Sequence, residues 1–254
     1  MKHKSLSLLA LSLLAGSVYA QGMTYNVGVV NNYLYRGISQ TRGEPAVQGG
    51  LDYAHSSGFY VGAWASSIKW IEDVQPANRA NGPTELDLYA GYKFDLAPGL
   101  GMDLGYLRYE YLGNNATSVG LTNPNTDEIY LGMNTPLFNV KFSYATSNLF
   151  GQTVNTAPNA GASATGATYT EFSREFDLGS GYKLTPHAGM TSISKVTNAS
   201  YNDYSLTLAK EINTGLVLSV GYSATNAIRT YYVSNFNQKY LGDQAAVVGL
   251  KYNF

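Results

Sequence analysis

The chain has no cysteine in its 254 residues. A disulfide framework and thiolate chemistry are therefore excluded. Charge is scarce too: 13% of residues are Asp, Glu, Lys or Arg, against about 25% in ordinary soluble domains. A net charge of −1 without a basic patch gives nucleic acid nothing to bind. Histidine is rarer still, and only His55 and His187 lie beyond residue 20. Two distant histidines without cysteine cannot form a closed zinc site, so neither metal nor cofactor is expected. Beyond residue 20 no apolar run is long enough to cross a bilayer as a helix.

What is present in quantity is tyrosine, 22 residues, and glycine, 27 residues. Few charges with many tyrosines suit a surface that faces lipid and is ringed by amphipathic aromatics. The N-terminus reads as a secretory leader: Met1-Lys2-His3-Lys4, apolar Leu6 to Ala15, then small residues at Val18 and Ala20. Cleavage after Ala20 leaves residues 21–254 as a single domain. At the other end, Phe254, Tyr252, Leu250, Val248 and Ala246 alternate with Asn253, Lys251, Gly249, Val247 and Ala245. This period-2 strand has one greasy face and ends on an aromatic, as outer-membrane barrels do.

Twelve strand-like segments follow the same logic: 22–34, 45–54, 59–68, 84–94, 102–111, 126–135, 138–147, 168–178, 182–192, 202–212, 216–225 and 244–254. Connections after even-numbered segments are short. Those after odd-numbered segments are mostly longer, at 35–44, 69–83, 112–125, 148–167, 193–201 and 226–243. The pattern predicts an all-β fold, a transmembrane antiparallel up-and-down β-barrel of about 12 strands with short periplasmic turns and long extracellular loops. A half-solvated soluble sandwich is the rival.

Parity assigns faces. Leu86, Leu88, Ile129, Leu131, Phe142 and Val220 point to lipid. The inward acids are Asp52, Glu85, Asp87, Asp103, Glu128, Glu171, Glu175, Asp177, Asp203 and Glu211, and the inward bases are Arg36, Lys93, Lys141, Lys183 and Lys251. His187 also points inward. Together these are the expected pore lining. Aromatics are expected in two lipid-interface belts: Phe59, Tyr92, Phe94, Phe138, Phe176, Tyr182, Tyr252 and Phe254 on the periplasmic side, and Tyr33, Tyr35, Trp70, Tyr109, Tyr111, Tyr144, Tyr201, Tyr204 and Tyr222 on the outer side. Arg108 and Arg174 fall on lipid parity, where a midplane charge would cost about 2–4 kcal/mol; a bulge in either strand would shift them.

The run Tyr35-Arg36-Gly37-Ile38-Ser39-Gln40, continued by Pro45-Ala46-Val47-Gln48-Gly49-Gly50, closely resembles the N-terminal signature of the TorF-like family of proteobacterial outer-membrane porins. The likeness is specific over residues 31–66 and looser at Glu85-Leu86-Asp87 and Tyr89-Ala90-Gly91-Tyr92. It implies a barrel and a channel.

Arg36 sits where the first strand leaves the membrane, within reach of Glu85 or Glu128, either as an electrostatic constriction or as an ion pair pinning the first loop. Twelve strands tilted at roughly 40° give a diameter of about 24 Å and a free bore of about 10–14 Å before any loop folds in. The expected function is passive diffusion of ions or small hydrophilic solutes in the outer membrane, with a mild preference for cations because acids outnumber bases. One alternative is a plugged lumen that binds or adheres through its extracellular loops, with loop 148–167 long enough to enter it. A lipid-modifying enzyme is the other; it would need a base near the outer leaflet, where neither His55 nor His187 stands. Expected partners are outer-membrane lipid, the solute, a further copy in a homo-oligomer, and the barrel-assembly machinery through the Phe254 strand.

Overall fold

Alternating side chains make each strand choose a face, and one choice holds throughout the computed structural model, which describes residues 21–74, 81–153 and 161–254. In chain order its strands are β1 (Gly22–Val30), β2 (Leu34–Tyr35), β3 (Ile38–Ser39), β4 (Ala46–Ala54), β5 (Phe59–Ser67), β6 (Thr84–Ala97), β7 (Leu100–Leu112), β8 (Thr126–Asn134), β9 (Asn139–Ala145), β10 (Thr168–Ser173), β11 (Phe176–Gly179), β12 (Tyr182–Ser192), β13 (Tyr201–Asn213), β14 (Leu216–Thr225) and β15 (Ala245–Asn253). A single helical turn, α1 (Trp70–Val74), follows β5. The leader expected at 1–20 lies outside the described residues, as does part of the loop at 148–167.

Apart from the short hairpin β2–β3, and with β10 and β11 both pairing with β12, each strand pairs antiparallel with its sequence neighbour; β1 pairs with both β4 and β15, and β10 also pairs with β9. The sheet therefore closes on itself. β10 and β11 are two pieces of one strand, so the ring is a closed antiparallel barrel of 12 strands. Closure satisfies every ladder without an open edge, the requirement for strands in hydrocarbon. Among the described residues no helix is long and apolar enough to cross a membrane.

On β8, Ile129 and Leu131 stand outside at 48% and 47% exposed while Glu128 and Tyr130 are buried within. Leu131 and Val248 both lie on the outer surface rather than packing together in a dry interior, which removes the sandwich reading.

The register disposes of both awkward arginines without a bulge at either. Arg108 lies opposite Asp127, the second residue of β8, near the long-loop end. There its guanidinium meets Glu110 at 2.7 Å and Asp127 at 3.0 Å. Arg174 occupies the gap between β10 and β11, level with the start of β9, where Ser173 faces Asn139 at the short-turn end. Its N–H donates to Pro186 O at 3.3 Å, but Pro186 has no N–H to return, so the strand breaks there. Ser173↔His187 and Phe176↔Leu184 keep the same register on either side of the break. Both charges lie toward the rims, not at the midplane.

The aromatics on the short-turn side stand outside as expected, from Phe59 and Tyr92 to Tyr252 and Phe254. The outer belt is largely an inner one instead. Tyr144, Tyr204 and Tyr222 face out, whereas Tyr33, Tyr109, Tyr111 and Tyr201 are buried inside the mouth, and Tyr35 and Trp70 pack against them or their neighbours. Parity explains most of the difference. Tyr109 and Tyr111 share the inward face of β7 with Leu107, opposite in sense to Tyr106 and Arg108.

Candidate functional site in the barrel lumen

The signature Tyr35-Arg36-Gly37-Ile38 is a two-residue hairpin that crosses the bore. Leu34 pairs with Ser39 and Tyr35 with Ile38, leaving Arg36 and Gly37 as the turn, with φ of 47° and 76°. Positive φ at both central residues is the tight hairpin turn that usually takes Asn-Gly. Arginine is strained there by about 1–2 kcal/mol. Gly37 is required by space as well: a Cβ would lie 2.4 Å from Thr225 Cγ2 and 2.9 Å from Asp203 Cβ. The tip thus rests on β13 and β14.

The strain at Arg36 is offset by an ion pair. Its Nη2 donates to both oxygens of Glu128 on β8, at 2.9 and 2.7 Å, with side chains 8% and 2% exposed. The guanidinium also lies over the Tyr35 and Tyr169 rings, at 4.8 and 4.2 Å. Tyr35 meets the Tyr109 hydroxyl at 2.6 Å, and Tyr33 donates to Glu85 Oε1 at 2.6 Å. Contacts with β6, β7, β8, β10, β13 and β14 make the hairpin a bar across the lumen. Arg42 anchors its base through Glu72 at 2.9 Å. The free bore of about 10–14 Å therefore does not continue through the outer half. It is loop 31–45 that enters, joined by Phe150 from the next long loop but two, whose residues 154–160 lie outside the description.

Below the bar the wall is built from tyrosines laid flat against glycines. Tyr89 faces Gly62 and Tyr60 faces Gly91 across β5 and β6, and Tyr130 faces Gly105 across β7 and β8. At Gly105 a Cβ would sit 2.3 Å from the Tyr130 ring, and at Gly62 2.4 Å from that of Tyr89. Absent side chains let the rings lie along the wall, so their hydroxyls reach acids on neighbouring strands. Tyr89 donates to Asp52 at 2.5 Å and Tyr60 to Asp103 at 2.7 Å, with the Tyr60 and Tyr130 hydroxyls 2.5 Å apart. Gly105→Val is expected to lift the Tyr130 ring and cost about 1–3 kcal/mol by overpacking, read as a lower urea midpoint in micelles.

The remaining lining residues form looser sets. Lys93 approaches Asp103 at 4.0 Å, Lys141 approaches Glu171 at 3.8 Å, and Lys183 meets Glu175 at 2.6 Å. His187 Nε2 sits 3.1 Å from Asp203 and 3.0 Å from the Tyr169 hydroxyl, with Nδ1 3.9 Å from Glu171. Asp52, Lys93, Lys183 and Lys251 are partly exposed toward the short-turn end, whereas Glu85, Asp87, Asp103, Glu128 and Asp203 are buried. Asp177 and Glu211 stand exposed next to short turns rather than in the bore. Glu85 has no base within ion-pair distance among the described residues, and Asp87 Oδ1 is buried without a hydrogen-bond partner. The outer lumen holds more carboxylate than cation.

This arrangement can be set beside known proteins. The model of a family described as a bacterial protein of unknown function (Gcw_chp) matches residues 15–254. The chain belongs to the Gcw_chp family. No curated protein matches its sequence. Among solved structures it is similar to the NanC porin, with a TM-score of 0.54, 10% identity and coverage of 91% of this chain and 99% of that one. The KdgM porin gives a TM-score of 0.53 and 9% identity, covering 91% and 98%. At such identity the likeness establishes the barrel fold.

For this Gcw_chp chain, parity turns Tyr89 and Tyr130 inward with the acids, but it does not show that tyrosine hydroxyls hold those acids. Their signal was readable: each of Tyr60, Tyr89 and Tyr130 pairs in register with a glycine, a pattern visible only once strands are aligned.

Proposed function

We propose that the chain is an outer-membrane channel for passive diffusion of ions or small hydrophilic solutes, with a modest preference for cations. Export by a leader cleaved after Ala20, assembly through the C-terminal strand and a place in the TorF-like group are parts of the same reading. The observation that carries it is a closed ring, apolar outside, whose inner acids outnumber its inner bases and of which Asp52, Glu85 and Asp103 each accept from a tyrosine hydroxyl. Such a wall keeps its negative potential and concentrates cations. The KdgM porin has been solved with oligogalacturonate, a polyanion; the acid-rich lumen here argues against that class of solute.

In planar bilayers under a KCl gradient, the reversal potential is expected to carry the sign of K⁺ selectivity. An anion-selective sign would overturn the charge argument. The hairpin bar favours a second reading, a plugged barrel acting through its loops, and an absence of channel steps from folded protein would support it. We assign no catalytic role to His187, whose Nε2 is engaged by Asp203 and Tyr169.

A further inference from the structure

Outside the bar, at the long-loop end, lies a cavity of about 590 Å³ that the channel reading does not use. Its walls include the rings of Tyr35, Trp70, Tyr111 and Phe150, and Arg36 contributes to its lining. The rings meet edge to face: Trp70 and Tyr111 at 5.1 Å, Tyr35 and Phe150 at 5.5 Å. A pocket of this size, mostly apolar with a few convergent polar groups, is of the kind that takes small molecules.

Its polar groups are unbalanced. Guanidinium carries five N–H donors, yet Arg36 donates to protein only through Nη2, to Glu128, among the described residues. The Trp70 indole N–H is buried with no acceptor among the described residues. Indole can donate and never accept. A molecule lodged here must therefore bring acceptors to spare donors and a planar apolar body to the rings.

Charge narrows the class further. Glu128 already neutralises Arg36, and Glu85, hydrogen-bonded to Tyr33 on the stem of the bar, adds negative charge nearby. A carboxylate would find only a guanidinium already paired to Glu128, with Glu85 behind the wall, and a cation would face the guanidinium. We propose that the cavity binds a small uncharged aromatic molecule whose polar end accepts hydrogen bonds, an aromatic amide or a similar carbonyl compound. This goes beyond the channel reading, since binding above the bar does not require conduction through it.

Trp64 and Trp70 are the two tryptophans, so Trp64→Phe leaves Trp70 as sole reporter in the folded, full-length chain. Titration with benzamide is expected to change its emission saturably, with benzoate weaker by about tenfold or more and with benzylammonium and acetamide giving no saturation. Calorimetry on the unsubstituted protein should reproduce the benzamide isotherm, and Phe150→Ala should weaken it by about tenfold while heat-modifiable gel migration confirms the barrel. The proposal is overturned by folded protein that benzamide does not saturate, by benzoate binding as tightly, or by unchanged affinity in Phe150→Ala. Conductance measured in parallel keeps this outcome separate from that of the channel reading.

Discussion

Replacing Arg36 with methionine is expected to destabilise the barrel by about 3–5 kcal/mol, the cost of stranding a buried charge. Glu128 would lose both of its Nη2 contacts while remaining 2% exposed, and its other hydrogen bond, from Tyr109 at 3.3 Å, is long. The double variant Arg36→Met with Glu128→Gln should recover most of the loss, because the stranded charge is gone. Arg36→Asn separates turn from ion pair. It suits the positive φ and relieves about 1 kcal/mol of strain, yet it removes the pair and should still lose stability. Urea unfolding in lipid vesicles gives all three values. If Arg36→Met and the double variant unfold alike, the pair does not hold the bar. Single-channel recordings of Arg36→Met add a second readout, since an unpinned bar should raise conductance.

Leu131→Arg is expected to cost about 2–4 kcal/mol in a bilayer. Leu131 lies mid-strand, opposite Leu104 on β7 and Phe142 on β9, and all three side chains are outside. Nothing there can pair with a guanidinium. Arg108, on the same outer surface, is tolerated because its level brings Glu110 and Asp127 within reach. The converse change, Arg108→Leu, should therefore shift stability by less than about 1 kcal/mol, as exposed pairs do. A neutral outcome for Leu131→Arg would mean that this face does not meet hydrocarbon.

Much of this was legible in advance where the physics is local. Short and long connections, the polar inner parity of Glu85, Asp87 and Glu128, and the exposed aromatics of the short-turn rim were all readable from local pattern. Tyr109 and Tyr111 were placed in a belt by their nearness to a strand end although β7 parity turns them inward; the other misreadings came where parity ends. Arg108 and Arg174 looked like midplane charges because alternation assigns a face and says nothing of depth; depth depends on how far each neighbour extends. Tyr33, Tyr35 and Trp70 looked like belt residues because a loop has no parity, and their direction was set by what the loop packs against.

The amino-acid order alone determined that this chain makes paired strands with one greasy face, because a side chain's side is decided by its immediate neighbours. Only the closed barrel decided what occupies the bore. The Arg36–Glu128 pair joins residues 92 positions apart, and that meeting exists only after ring closure has brought β8 across from the first hairpin.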